Sequence, residues 1–220
     1  MKGEIKHIEY KIAVDFLLPR HYSGRKPQVK WAFGWYSEGE LKAVCTVGKP
    51  ASNSLCWGVC GKEYSDRVYE LNRLCRIESW EEPLSQFVGA ILRRLSCHNL
   101  IIVSYADRGQ NHNGYIYQAT NFFYTGFTKS RTDKYTEGNK HSRHYKDQDN
   151  SKRKVRTSKH RYIFFATSGQ IGKKLNKQFK EKLNYKIEPY PKEENRNYIL
   201  GDFQKPTVIL SSLDINNKEE

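Results

Sequence analysis

Two periods run through the apolar positions, and they place most of the elements. Leu84, Phe87, Val88, Ile91, Leu92 and Leu95 recur at i, i+3, i+4, i+7, i+8 and i+11. This spacing predicts an amphipathic helix over 84–95. Pro83 suits its first turn, and Arg93 and Arg94 suit its carboxyl end. Ile8, Ile12 and Phe16, with Ala13 and Leu17 beside them, predict a first helix over Glu4–Leu18 that Pro19 ends. Alternation predicts strands at Val29–Tyr36 and Leu41–Val47, joined by a hairpin turn at Ser37-Glu38-Gly39-Glu40. Leu41, Ala43, Cys45 and Val47 then share a face.

Val68–Ile77 alternates as well, with Tyr69, Leu71, Arg73, Cys75 and Ile77 on one face. An arginine there means either that its end reaches a cleft or that the strand is bulged. Leu100–Tyr105 is the most apolar strand. A polar loop follows at Asp107–Asn113, then a short helix over Gly114–Asn121 and an aromatic strand over Phe122–Phe127. Tyr162–Ala166 is a further strand, Lys173–Leu183 a basic helix, and Tyr185–Pro191 an extended stretch. Gly48–Gly61, with Pro50, Ser52 and Asn53, reads as loop. Asn216–Glu220 reads as a disordered tail.

Helices and strands in this order predict an α/β fold around a mixed sheet. We expect a catalytic domain over 1–170 and a basic carboxyl-terminal extension over 171–220. The 220 residues fit such a division, and 15 Tyr and 4 Trp supply large buried surfaces.

Charge narrows the partner. The formal net charge is +14. Between Lys129 and Arg161 there are 12 Lys or Arg against 4 acids, so this segment carries +8 of that excess. It reads as a long mobile basic loop. Tyr135, Tyr145 and Tyr162 are interleaved in it, a combination that neutralises phosphates and stacks on bases. The plain alternative is a solvated charged loop. No apolar run reaches membrane-spanning length, the amino terminus has no apolar signal core, and the five cysteines are irregularly spaced. Together these predict a cytoplasmic protein with reduced thiols and no membrane partner.

The element order resembles the GNAT acyltransferase fold, with Val68–Ile77, Leu84–Leu95, Leu100–Tyr105 and Gly114–Asn121 around its V-shaped cleft. The glycine pattern that usually holds the donor's pyrophosphate is missing between Ile77 and Phe87. A closer resemblance is to the Mom family of phage DNA adenine-modification proteins. It is carried by His21-Tyr22-Ser23-Gly24-Arg25, Ala32-Phe33-Gly34, Gly48-Lys49-Pro50-Ala51-Ser52, Leu55-Cys56 and Val59-Cys60-Gly61. Glu70-Leu71-Asn72-Arg73-Leu74, Ser104-Tyr105-Ala106-Asp107, Tyr117-Gln118-Ala119-Thr120-Asn121-Phe122 and His160-Arg161-Tyr162 continue it.

That resemblance implies transfer of a carbamoylmethyl (acetamido-type) group to N6 of adenine in double-stranded DNA, protecting phage DNA from restriction. It implies His21, Tyr22, Asp107 and Tyr117 as the catalytic centre, and Arg73 and Ser85 as holding acetyl-CoA or another CoA-like donor. The chemistry is reasonable for those residue types. Asp107 at a strand end suits a base, Tyr117 a donor, and His21 either. Capping, packing and surface roles are the plain alternatives for them. For Arg73 the alternative is an ion pair with Glu63, Asp66 or Glu70, and for Ser85 ordinary helix-start chemistry.

His21, Asp107 and His112, with Tyr22 or Tyr117, would also make a mixed N/O set for iron or another divalent metal. Arg25, Arg131, Lys152, Arg153, Lys154, Arg156, Lys159 and Arg161 are the expected DNA contacts. The target adenine would have to be flipped out of the duplex. Two other functions fit the same sequence: an acetyl-CoA-dependent N-acetyltransferase acting on a protein or small amine, and a non-catalytic nucleic-acid-binding module.

Overall fold

In the computed structural model, residues 3–135, 153–192 and 208–209 are described. A seven-stranded sheet organises them, in the order β1-β2-β3-β4-β5-β9-β6. Its strands are β1 (Glu4–His7), β2 (Trp31–Ser37), β3 (Glu40–Gly48), β4 (Val68–Arg76), β5 (Leu100–Asp107), β6 (Phe123–Phe127) and β9 (Lys159–Ala166). Only β4 and β5 pair in parallel; every other neighbour is antiparallel. This is the mixed sheet flanked by helices that the element order predicts.

Alternation sends each strand's side chains to two cores. Leu100 and Ile102 join one with Phe87, Val88, Ile91 and Leu95 of α3 (Leu84–Leu95). Ile101 and Val103 face the other, against α2 (Asn53–Cys60) and Phe179 of α5 (Gly169–Glu181). Further along that second face, Ala13, Phe16 and Leu17 of α1 (Tyr10–Leu17) cover Val44 and Cys75. Fully burying one such side chain contributes about 1.5–3 kcal/mol, so these two layers hold the sheet.

The 84–95 helix has the expected bounds, and the hairpin closes at Ser37↔Glu40 with Glu38 and Gly39 both at positive φ. Other expectations need correction. The stretch 4–18 is not one helix. Ile5 alternates with exposed neighbours and pairs with Trp35 as strand β1, and α1 begins only at Tyr10. Ile12 is exposed, and the buried face is Ala13, Val14, Phe16 and Leu17. Residues 48–61 are not all loop: Cys56, Val59 and Cys60, at i, i+3 and i+4, bury one side of α2. Leu41 parts from Ala43, Cys45 and Val47, because a bulge at Trp35/Tyr36 turns it toward the other core.

The basic segment is not a continuous loop either. β7 (Arg131–Lys134) and β8 (Arg153–Arg156) pair antiparallel, β10 (Val208–Ile209) adds to β8, and β9 begins at Lys159. Tyr145 and Lys152 lie outside the described residues, as does the 216–220 tail. Among the described residues no helix is long and apolar enough to cross a membrane.

Candidate active site

The site forms where the two parallel strands part. Their ladder runs from Val68↔Ile101 to Leu71↔Ser104. Beyond that rung β4 stays with β3, and β5 continues against β9 to Asp107↔Lys159. A bulge on β4 sits at the same level. Val47 pairs with Leu71 and Thr46 with Arg73, which leaves Asn72 as the extra residue. An inserted residue reverses the alternation that follows. Leu71 therefore lies in the α3 core, while Cys75 lies in the α1 core. Arg73 goes with Cys75, so the arginine that looked misplaced on an apolar face is on the side of α1 and the turn after it. Glu70, three residues earlier, would oppose Arg73 in a regular strand; the bulge puts both on that side.

The turn after α1 brings His21 and Tyr22 there. Their rings stack with centroids 4.5 Å apart, and the Tyr22 ring meets His112 edge-on at 5.9 Å. The Ser23 N–H donates to His21 Nδ1 at 3.1 Å, and Ser23 Oγ lies 3.0 Å from the same nitrogen. An acceptor at Nδ1 puts the neutral ring's proton on Nε2. Burial, together with the positive charge of Arg73, His112 and Lys159, lowers the His21 pKa to about 3. The imidazole is thus a neutral N–H donor, and of its two expected roles the basic one is unfavourable. Burial and the neighbouring Asp107, Tyr117 and Glu70 push the Tyr22 phenol above its ordinary range, while Arg73 opposes them. Tyr22 thus feels the charge of all four groups.

Tyr117 arrives from the opposite face on α4 (Tyr115–Gln118), its ring 5.3 Å from both Phe122 and Tyr162. The turn into α4 is tight. Gly114 has φ of +81°, and a Cβ there would stand 2.3 Å from the Tyr162 ring, so only glycine fits. Ser104 Oγ donates to Leu71 O at 3.0 Å across the last β4–β5 rung, and its hydroxyl tempers the Tyr117 pKa. Burial raises the Tyr117 pKa to about 12.

Asp107 is buried and its carboxylate is occupied. Oδ1 accepts from the Gly109 N–H at 3.0 Å and from Thr157 Oγ1 at 2.6 Å, and Oδ2 accepts from Lys159 Nζ at 2.6 Å. Gly109 allows this packing, because a Cβ there would come within 2.4 Å of Thr157. The residues do not fit the expected metal. Among the described residues no group of three or more His, Cys, Asp or Glu is placed to hold one. An ammonium already sits on Asp107, and His21 Nδ1 is taken by Ser23.

Arg73 makes none of the ion pairs open to it with Glu63, Asp66 or Glu70. Its Nη1 donates to Asn72 O at 2.6 Å and its Nη2 to Arg25 O at 3.5 Å, while Nε is buried without a partner. Ser85 is elsewhere. With Gln86, Gly89, Arg93, Thr120, Asn121 and Phe164 it lines a cavity of about 490 Å³ between α3 and α4, on the α3 face of the sheet. Arg73 and Ser85, expected to grip one donor together, therefore line different surfaces.

The basic residues also separate. Arg156 and Arg131 pair with Asp133 at 3.0 and 3.7 Å, and Arg153 Nε donates to Thr132 Oγ1. Lys159 pairs with Asp107. Arg161 donates to Thr125 Oγ1 and O, and its guanidinium lies 3.5 Å over the Tyr185 ring. Arg25, Lys154 and Arg156 crowd together beside the site, and this repulsion, added to burial, lowers the Lys154 pKa.

Residues separated by nearly a hundred positions thus meet at one strand parting, and they are those on which the resemblance rests. A family model described as the Mom protein family matches residues 2–192. The chain belongs to the Mom protein family.

No curated protein matches this Mom family chain. Among solved structures it is similar to an N-acetyltransferase from Staphylococcus aureus Mu50, at 13% identity over 76% of this chain and 99% of that one, with a TM-score of 0.47. It is also similar to a Bacillus subtilis acetyltransferase in complex with CoA, at 13% identity, 74% and 99% coverage and a TM-score of 0.40. A putative acetyltransferase from Salmonella typhimurium with acetyl-CoA matches at 6% identity, 77% and 96% coverage and 0.45. Likeness at this level carries no argument about donor or substrate.

Glu70, which the sequence offers only as an ion-pair partner for Arg73, also belongs to this Mom site. Its carboxylate makes no hydrogen bond or ion pair with any described residue. Burial raises its pKa, against the pull of Arg73 and Lys159, and its charge is felt at Tyr22, Tyr105 and Tyr117. Its only signal in the sequence was its place in Glu70-Leu71-Asn72-Arg73-Leu74. Thr157, which also holds Asp107, had none, and Lys159 was expected at DNA rather than on Asp107, because their partner lies some fifty residues away.

Proposed function

We propose that the protein is a DNA-modifying transferase that places a carbamoylmethyl group on N6 of adenine, acting on phage DNA in a host cytoplasm. What supports this is Mom family membership together with the meeting of His21, Tyr22, Glu70, Arg73, Asp107 and Tyr117 at the parting of β4 and β5.

The chemistry follows from what each group offers. The N6 lone pair is delocalised into the ring, so an acceptor at its N–H sharpens it as a nucleophile. One Glu70 oxygen supplies that acceptor and takes the proton once N6 has bonded to carbon. As the N6–C bond forms, the donor's bond from that carbon to its leaving group breaks, and the leaving group takes the electron pair. The His21 Nε2–H and the protonated Tyr22 are neutral donors for the charge that develops. Asp107, held by Lys159 and Thr157, positions the end of β5. Ser85, Arg93, Thr120 and Asn121 would hold the phosphates of a CoA-like donor in the cavity of about 490 Å³, and its activated end would pass between β4 and β5, where they part beyond Leu71↔Ser104, to reach Glu70 on the other face. The donor supplies the activated carbon and the leaving group. Duplex DNA would lie across β7–β8 and the Arg25 turn, with the adenine flipped toward Tyr22.

Mass spectrometry of nucleosides from DNA of cells making the protein tests this. We expect deoxyadenosine carrying an added carbamoylmethyl mass. Unmodified deoxyadenosine alone, from cells in which the protein is folded, sinks the reading.

A further inference from the structure

We infer that Arg73 and Glu70 together form a subsite for a primary carboxamide, the group that is transferred, and that Arg73 is not a phosphate ligand. This rests on the transferase reading above and names the recognition step within its site.

Geometry separates Arg73 from any phosphate site. It lies on the α1 side of the β4 bulge, tied to Asn72 O and Arg25 O, whereas the α3–α4 cavity with Ser85 and Arg93 opens on the other face. The guanidinium's two ends are unequally used. Nη1 is committed to Asn72 O at 2.6 Å. Nη2 makes only a 3.5 Å contact with Arg25 O, and the adjacent Nε is buried with no acceptor. A buried N–H without a partner is costly, and such groups in native proteins have a reason. Nε and Nη2 together form the side-on fork that grips a planar oxygen group. Nε is sealed from water, so a ligand oxygen would reach it as the weak contact to Arg25 opens, satisfying Nε and replacing that contact.

Glu70 supplies the other half. The extra residue at Asn72 brings it to the same side of the sheet as Arg73. The two side chains feel each other's charge, yet no ion pair joins them, and Glu70 has no other partner among the described residues. Donors on one side and an open acceptor on the other, not closed on each other, match a group that accepts and donates at adjacent atoms. A primary amide does this. Its oxygen takes the Arg73 fork, and its NH₂ donates to Glu70. A carboxylate has no N–H for Glu70 and is repelled by its charge, and a phosphate is repelled more. Glu70 has two oxygens, so one remains for the proton of N6.

The buried Arg73 Nε–H gives a direct readout in side-chain ¹H–¹⁵N spectra of the whole protein, assigned by its loss in Arg73→Lys. Acetamide, acetate and inorganic phosphate serve as probes; ligands this small bind in the millimolar range. Acetamide is expected to move the resonance, and acetate at pH above neutrality to bind at least about tenfold more weakly. Glu70→Gln keeps an acceptor but loses the charge, so that preference should collapse. A shift with phosphate but not acetamide overturns the inference. So does no shift with any probe, or acetate bound as well as acetamide by the wild type. None of these readouts involves DNA, so failure here is distinct from absence of modified nucleosides.

Discussion

Lys159 Nζ lies 2.6 Å from Asp107 Oδ2, across the last β5–β9 pair, with the two side chains 29% and 10% exposed. The pair is therefore largely shielded from water, and it ties the end of one strand to the start of another. Removing one member leaves the other charge buried and uncompensated, which typically costs about 3–5 kcal/mol.

Lys159→Met should accordingly destabilise the protein by about 2–4 kcal/mol in urea unfolding, the lower end allowing for the Thr157 and Gly109 bonds that remain on Asp107. Asp107→Asn should cost less, because the orphaned Lys159, 29% exposed against 10% for Asp107, can turn its ammonium to water. In the double variant Asp107→Asn/Lys159→Met the loss should fall short of the sum, and strict additivity would show the pair to be uncoupled.

His21 makes stability depend on acid. Its folded pKa, about 3, is below the unfolded value of 6.5, so the unfolded chain binds the proton first. The contribution is complete above pH 6.5 and is lost as pH falls from 6.5 toward 3, at up to about 1.4 kcal/mol per pH unit. His112, lowered in the same direction by burial, adds to the slope. His21→Gln should unfold less steeply with acid between these limits. Equal slopes of the urea midpoint against pH for variant and wild type would contradict the assignment.

The basic residues should divide in solution as they do in the fold. Lys154 is half-buried beside Arg25 and Arg156, where an anion relieves the crowding. Lys154→Ala should weaken binding to a duplex oligonucleotide and reduce the salt slope, in log–log form, by about 1. Arg161 is spent on Thr125 and Tyr185. Arg161→Ala should lower the melting temperature and leave the salt slope within error of wild type. The reverse pattern would reassign both residues.

What the chain's own pattern determined was what depends on near neighbours. Helix 84–95 was legible to the residue because its six apolar positions repeat without interruption, and the hairpin at 37–40 because two residues suffice for its turn. The central strands were legible because they are buried and apolar. β1 was lost in the helix pattern because four residues are too few to outvote the Ile8–Ile12–Phe16 spacing, and α2 because its proline and serine flanks resemble loop.

The family motifs brought forward His21, Tyr22, Arg73, Asp107 and Tyr117, which the fold gathers, but they gave neither the separate place of Ser85 nor the arrangement. The bulge at Asn72 decides which face Arg73 and Glu70 share, and it exists only through pairing with β3. The state of Asp107 depends on Thr157 and Lys159, which only β5–β9 pairing brings to it. Periodicity carries local information, whereas register, and the partner each buried polar group finds, is settled by contacts between residues far apart in the chain. That is why His21 could be read in the sequence as base or donor, while only its hydrogen bonds from Ser23 and its buried, positively charged surroundings assign it as a neutral donor.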